Sequence, residues 1–226
     1  MIKAIIFDFD GLILDTESPE YQSWQEIYAD HGCSLPLSKW GQLIGTANTF
    51  DPYAYLAEQS GRAVDRPSLQ AKHRSRAIEL IESLSPLPGV EDYIADAKRL
   101  GLRLAVASSS RRDWVEGHLT RLGLAHHFDA FSCADDVERV KPDPAIYRIA
   151  AERLGVAPSQ AIALEDSPNG ALAAKRAGIY CVTIPNPLTQ QLVFAAGDMR
   201  LSSMESLSLG ALLEQVNVAR ATINDG

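Results

Sequence analysis

Beyond residue 89 the chain alternates between two hydrophobic periods, and few folds accept that alternation. Val90, Tyr93, Ile94, Ala97 and Leu100 fall at helical spacing, Gly101 stops the helix, and LRLAVA (102–107) follows as a short apolar run. Three serines, 108–110, then lead into another helix, with Ser110 and Asp113 spaced as an N-cap pair. A strand is expected over 129–133. Asp143 and Pro144 open the next helix as N-cap and N1. The apolar run 161–164, a helix opened by Ser167 and Pro168, a strand over 180–184 and a last helix over 206–218 complete the series. Strands and helices in alternation predict an α/β architecture, a doubly wound, Rossmann-like parallel sheet covered on both faces.

Residues 15–85 break the rhythm. Tyr21, Trp24, Ile27, Tyr28 and His31 lie along one helical face, and 50–59 and 67–84 also read as helices. No strand pattern appears among them. Pro86, Pro88 and Gly89 then mark a boundary. The expected division is a core of 1–14 and 86–226 with an inserted helical cap of 15–85.

The length of 226 residues accommodates one sizeable domain with an insertion. A net charge of -8 with no basic stripe argues against nucleic acid as a partner. No run approaches the roughly 18 apolar residues that would span a membrane, and MIKAIIFDFDG meets an acid too early for a signal peptide. Cys33, Cys133 and Cys181 are odd in number, scattered and without a CxxC, which suits reduced thiols and a cytoplasmic setting.

In open parallel sheets ligands bind beyond the carboxyl ends of the strands. Asp8 and Asp10 follow the first expected strand, Ser108 the second, Lys141 comes a little after the third, and Glu165 and Asp166 end the fourth. These distant groups therefore converge on one edge. Four carboxylates gathered there call for a cation, and oxygen-only donors suit Mg²⁺, which favours phosphate-bearing partners. A hydroxyl and an ammonium serve the outer oxygens of a phosphoryl group. Asp8 could act as a nucleophile and Asp10 as a proton donor and acceptor. Taken singly, each has a plainer use: a turn for Asp8 and Asp10, helix capping for Ser108 to Ser110, a solvated charge for Lys141, a helix-terminus charge pair for Glu165 and Asp166. Ser110 is expected to cap, Ser108 to bind phosphate, and Ser109 divides between the two.

Four motifs in order, Asp8-Phe9-Asp10-Gly11-Leu12, Ser108 closing the apolar strand in LAVASSS, Lys141 in VKPDPAIY and Glu165-Asp166 in ALEDSPNG, resemble those of the haloacid dehalogenase superfamily. The resemblance covers nearly the whole chain, and the cap's place is similar to that of the beta-phosphoglucomutase-like branch. It implies Asp8 as nucleophile and Asp10 as general acid/base. It implies Mg²⁺ held by Asp8, the Asp10 backbone carbonyl and Asp166, with Glu165 assisting. The activity it implies is Mg²⁺-dependent hydrolysis of a small phosphorylated metabolite, such as a sugar phosphate, through an aspartyl-phosphate on Asp8. Family members are often monomeric. Cap residues Thr46 and Asn48, in the TANT stretch, are expected to touch substrate.

A phosphomutase is the alternative. The mutase pattern has a histidine and an arginine in the cap where this chain has Glu20 and Thr49, which counts against it. A phospho-Asp signalling module is more remote, since such modules lack a cap. A dehalogenase would lack the metal-binding acids, and a phosphonatase would need a cap lysine, for which Lys39 and Lys72 are candidates by type alone. Gly170, Ala173, Ala174 and Ala177 read as a packing stripe. Asp135 and Asp136 read either as a loop or as outer support for a metal, and His126 and His127 point different ways. The basic cluster Lys72, His73, Arg74 and Arg76 reads as a wet helix face that could lend one cation to an anionic substrate.

Overall fold

A computed structural model of the protein describes residues 1–40 and 50–224. Six parallel strands form one sheet: β1 (Ala4–Phe7), β2 (Arg103–Ala107), β3 (Ala130–Ser132), β4 (Ala161–Glu165), β5 (Tyr180–Thr183) and β6 (Met199–Arg200), in the order β3-β2-β1-β4-β5-β6. The expected doubly wound architecture is present. β6 is the addition: at two residues it is too short to display a period of two.

Because successive strand side chains point to opposite faces, each strand feeds two cores. Ile5, Phe7, Leu104, Val106, Ile162 and Leu164 pack on one face beneath helices α5 (Val90–Arg99), α6 (Arg112–Arg121) and α9 (Leu209–Asn224). On the other face Ala4, Ile6, Ala105, Ala107, Ala161 and Ala163 meet α7 (Ala145–Arg153) and α8 (Pro168–Arg176). The small alanines let α7 and α8 approach closely, and the stripe Gly170, Ala173, Ala174 and Ala177 faces them.

Helices α1 (Glu17–Asp30), α2 (Leu37–Trp40), α3 (Pro52–Ser60) and α4 (Arg66–Glu82) fill the interval between β1 and the rest of the sheet. Trp24, Ile27, Tyr28, Leu35, Trp40, Leu56 and Leu69 form a separate cluster there, joined by Leu188 from the loop after β5. Ile81, at the far end of α4, is buried in the sheet's own cluster instead. Asp51 and Asp65 cap α3 and α4 through their side chains, and proline follows each cap within the first turn.

Two expected caps differ. The Ser110 hydroxyl does not cap α6, which starts after Arg111 without a side-chain cap; it donates instead to the half-buried Asp10 at 2.6 Å, a carboxylate being a strong acceptor for a hydroxyl. Helix α7 begins after Pro144, one residue later than expected, and Asp143 accepts from Ala145 N at 3.0 Å.

Candidate active site

Chain direction changes sides of the sheet between β1 and β4, which are neighbours. Such a switch point leaves a crevice at the carboxyl ends of the two strands. Asp8 sits just beyond β1, and Glu165 and Asp166 at the end of β4. All three carboxylates are buried, and one oxygen from each lies within 4.8 Å of the others.

Lys141 reaches into this cluster with a side chain only 5% exposed. Its Nζ lies 2.7 Å from Asp8 Oδ1 and 2.6 Å from Glu165 Oε1. Asp8 Oδ1 also accepts from Phe9 N at 2.7 Å. Tyr147 OH donates to Glu165 Oε1 at 2.6 Å, and Ser167 Oγ to Glu165 Oε2 at 3.2 Å. Glu165 thus fixes the ammonium against Asp8. Burial works against the charge on Lys141, but Asp8 and Glu165 hold its pKa above the ordinary lysine value. Burial, then Glu165, pushes Asp8 up to about 8 despite Lys141. Asp166 is raised well above the usual carboxylate range by burial and by Glu17, Asp8 and Glu165.

Ionised together, three carboxylates around one ammonium would leave two negative charges to be balanced, and burial with this mutual repulsion is what raises Asp8 and Asp166. Oxygen-only donors and that charge fit a hard divalent ion such as Mg²⁺. Opposite ligands of Mg²⁺ stand about 4 Å apart, which the 4.8 Å spread admits.

Asp10 faces the same space and is held by four donors. Thr16 Oγ1 at 2.9 Å and Trp114 Nε1 at 3.0 Å reach Oδ1. Ser108 Oγ at 3.2 Å and Ser110 Oγ at 2.6 Å reach Oδ2. Gly11 has φ +77°, and a Cβ there would stand 2.3 Å from Asp166 Oδ2, so the turn after Asp10 requires glycine twice over.

A cavity of about 1070 Å³ opens over these groups. Its floor includes Asp8, Asp10, Lys141 and Asp166, with Ser109 and Ser110 beside them. Glu17 and Glu20 from α1 line the cavity on the side of Asp10, and Tyr53 from α3 with Gln70, His73, Arg74, Ala77 and Ile78 from α4 line the rest of its wall. Burial raises Glu17 to about 8 and Glu20 to about 7, with Asp10 adding to both.

The structure brings Asp8, Asp10, Ser108, Lys141, Glu165 and Asp166 together, and puts Ser109 on the cavity rim. Thr46, Asn48 and Thr49 lie outside the described residues. Asp135 and Asp136 do not line the cavity; they bind Arg112 and Arg153 in a supporting network, and Asp135 also meets Arg111, which does line it. His126 and His127 lie ring to ring, tilted by 40° with 3.9 Å between centroids, and do not join the acidic cluster. Lys72 is tied to Asp30, and Lys39 lies over the Tyr55 ring; neither lines the cavity.

Sequence reasoning missed Trp114, Tyr147, Thr16 and Asn186. Asn186 Nδ2 donates to Asp166 Oδ2 at 2.9 Å and to Gly11 O at 3.2 Å, while its Oδ1 accepts from Leu188 N and Thr189 N. It follows β5, so looking past that strand end as well would have found it. Tyr147 carries no such signal, being an ordinary core position of α7 by pattern. Gly170 reads in sequence as packing alone, yet a Cβ there would stand 1.9 Å from Glu165 Oε1.

Residues 5–184 match the family model described as haloacid dehalogenase-like hydrolase. The chain is 51% identical over 217 residues to a Bacillus subtilis (strain 168) protein named "Putative phosphatase YhcW", covering 96% of this chain and 99% of that one. It is 34% identical over 217 residues to hexitol phosphatase B of Escherichia coli (strain K12), covering 94% and 97%. The crystal structure of CbbY from Rhodobacter sphaeroides in complex with phosphate is similar at TM-score 0.75 and 34% identity, over 94% of this chain and 99% of that chain. A mutant of that protein, solved in complex with xylulose-(1,5)bisphosphate, is similar to the same degree. With four motifs meeting at one sheet edge and the family model spanning most of its length, the chain belongs to the haloacid dehalogenase-like hydrolases and is an enzyme of the phosphatase kind.

Proposed function

We propose that this enzyme is a Mg²⁺-dependent phosphatase that hydrolyses a small phosphorylated metabolite of the sugar-phosphate type through an aspartyl-phosphate on Asp8. The observation that carries this is Lys141 Nζ bridging Asp8 and Glu165 beside Asp166 at the floor of the cavity. The names of the hexitol phosphatase and of the CbbY bisphosphate complex support the substrate class.

Asp8, Asp166 and the Asp10 backbone carbonyl would hold the metal, with Glu165 at its margin. Mg²⁺ would neutralise the acids and the phosphoryl oxygens. The Asp8 carboxylate attacks phosphorus, and the bond to the leaving oxygen breaks. Asp10 gives that oxygen a proton. Water then attacks the aspartyl-phosphate, Asp10 takes its proton, and phosphate leaves with Asp8 restored. Lys141 and Ser108 stabilise the phosphoryl oxygens. Residues 15–85 act as the cap over a core of 1–14 and 86–226, excluding bulk water. The three cysteines are free, which fits the proposed cytoplasmic setting.

Asp8→Asn tests the proposal. It should lose p-nitrophenyl phosphate turnover by several orders of magnitude with an unchanged circular dichroism spectrum. Wild type, quenched in acid during turnover, should carry hydroxylamine-labile phosphate. Near-normal turnover by Asp8→Asn removes Asp8 as nucleophile. Isomerisation of beta-glucose 1-phosphate with a bisphosphate activator, without phosphate release, would make the enzyme a mutase.

A further inference from the structure

Three basic residues alternate along α4, and only two of them have a carboxylate. Lys72 Nζ lies 2.5 Å from Asp30 Oδ2. Arg76 grips Glu26 through Nε at 2.8 Å and Nη2 at 3.1 Å, and pairs with Glu79 at 3.0 Å. Asp30 and Glu26 both belong to α1, so Lys72 and Arg76, one turn apart, fasten α4 to α1. Arg74 lies between them in sequence and on the other side of the helix. It lines the cavity, and no carboxylate among the described residues pairs with it.

Other cations in the cavity are accounted for. Lys141 is held by Asp8 and Glu165 on the floor. His73 is neutral near pH 7, since burial lowers its pKa to about 4, and its ring sits against Ser23 and Trp24. Arg111, on the opposite wall, lies 3.5 Å from Asp113 and 3.4 Å from Asp135. Arg74 therefore presents a free guanidinium on the α4 wall. It stands seven residues, about 10 Å, along the helix from Ile81, whose side chain is buried in the sheet's cluster.

The wall nearer Asp10 has the opposite character. Glu17 and Glu20 line it; they can hydrogen-bond hydroxyls but offer an anion no cation. A second negative group on the substrate has one favourable end of the cavity to occupy.

We propose that Arg74 receives a second anionic group of the substrate, a phosphate or a carboxylate, at the end of the carbon chain away from the reacting phosphate. The substrate class is then a polyhydroxylated phosphomonoester with an anion at its far end. A guanidinium fork suits either anion and can hold two of its oxygens at once. This rests on the phosphatase reading above.

The test measures kcat/KM for phosphate release by the full chain with Mg²⁺ on matched pairs: fructose 1,6-bisphosphate against fructose 1-phosphate, and gluconate 6-phosphate against glucitol 6-phosphate. Wild type should favour the member with the second anion in at least one pair by about tenfold, the scale of one charge-assisted hydrogen-bond pair. The bisphosphate pair and the carboxylate pair tell which anion is read. Arg74→Gln should bring the ratio near one, mostly through KM, and Arg74→Lys should keep part of it. Arg111→Gln should leave it intact. No preference in wild type, a preference that survives Arg74→Gln, or one lost with Arg111→Gln overturns the proposal while p-nitrophenyl phosphate turnover leaves the phosphatase reading standing. Absence of turnover on every ester by wild type strikes that reading, and the subsite with it.

Discussion

The Trp114 indole N–H donates to Asp10 Oδ1 at 3.0 Å, joining α6 to the turn after β1. With Thr16, Ser108 and Ser110 it makes four donors on one carboxylate. A carboxylate so engaged is well oriented, but it must release a donor before it can pass a proton to a leaving group.

Trp114→Phe keeps most of the ring volume and removes this donor. A hydrogen bond to a charged group contributes about 1.5–3 kcal/mol, so loss of orientation should cost up to about a hundredfold in kcat on an alkyl phosphate. On p-nitrophenyl phosphate, whose leaving group needs no proton, the loss should be several-fold smaller. The measurement is the ratio of the two kcat values in wild type and variant. Equal losses on both would assign Trp114 a packing role only.

Metal removal should separate binding from chemistry. EDTA should silence the enzyme and Mg²⁺ restore it. Mg²⁺ at about a hundred times its dissociation constant should stabilise the fold by about 2.7 kcal/mol, which for a chain of this size raises Tm by roughly 5–10 °C. Asp166→Asn should abolish that shift in a thermal melt, since it removes one of the three carboxylates. A shift that persists in Asp166→Asn would move the ion elsewhere.

Much of this architecture is legible in the chain because its determinants are local. An apolar run ending at a glycine or a carboxylate announces a strand, and a strand end is where ligands gather. Asp8, Lys141 and Asp166 could thus be placed together with no contact known. The supporting residues are not local. Trp114 and Tyr147 occupy ordinary helix positions and acquire their roles from acceptors far away in the chain. Ser110 follows the grammar of a helix cap, yet Asp10 competes for its hydroxyl and wins. β6 pairs with β5 alone among the described strands, and two residues leave no pattern.

Gly170 sets two effects against each other. It lies in α8, where alanine would improve helix propensity by about 1 kcal/mol. Its added Cβ, however, would stand 1.9 Å from Glu165 Oε1 and 2.0 Å from Cδ. Glu165 is fully buried and held by Lys141, Tyr147 and Ser167, so it has no room to withdraw. Overpacking of this kind costs about 1–3 kcal/mol, which exceeds the propensity gain. Gly170→Ala should lower Tm and also lower kcat, because the displaced carboxylate is the one that steadies Lys141. A Tm at or above wild type would show that Glu165 can move freely.

His73 should make the packing of α4 on α1 sensitive to acid. Its ring is stacked on Trp24 at 4.7 Å and bonded to Ser23 Oγ at 3.1 Å, and burial lowers its pKa from 6.5 to about 4. Below pH 6.5 the unfolded chain takes up a proton that the folded chain refuses. The contribution of the neutral ring is therefore complete above about pH 6.5 and is lost as pH falls toward 4. The informative quantity is a difference between proteins, which removes the contribution of every other titrating group. Denaturant midpoints measured from pH 7.5 to 5 should fall for wild type more steeply than for His73→Gln, which has no proton to gain. The variant should be less stable at pH 7.5, having lost the stacked ring, and the gap should narrow at pH 5. Parallel curves would mean that His73 titrates as it does in water.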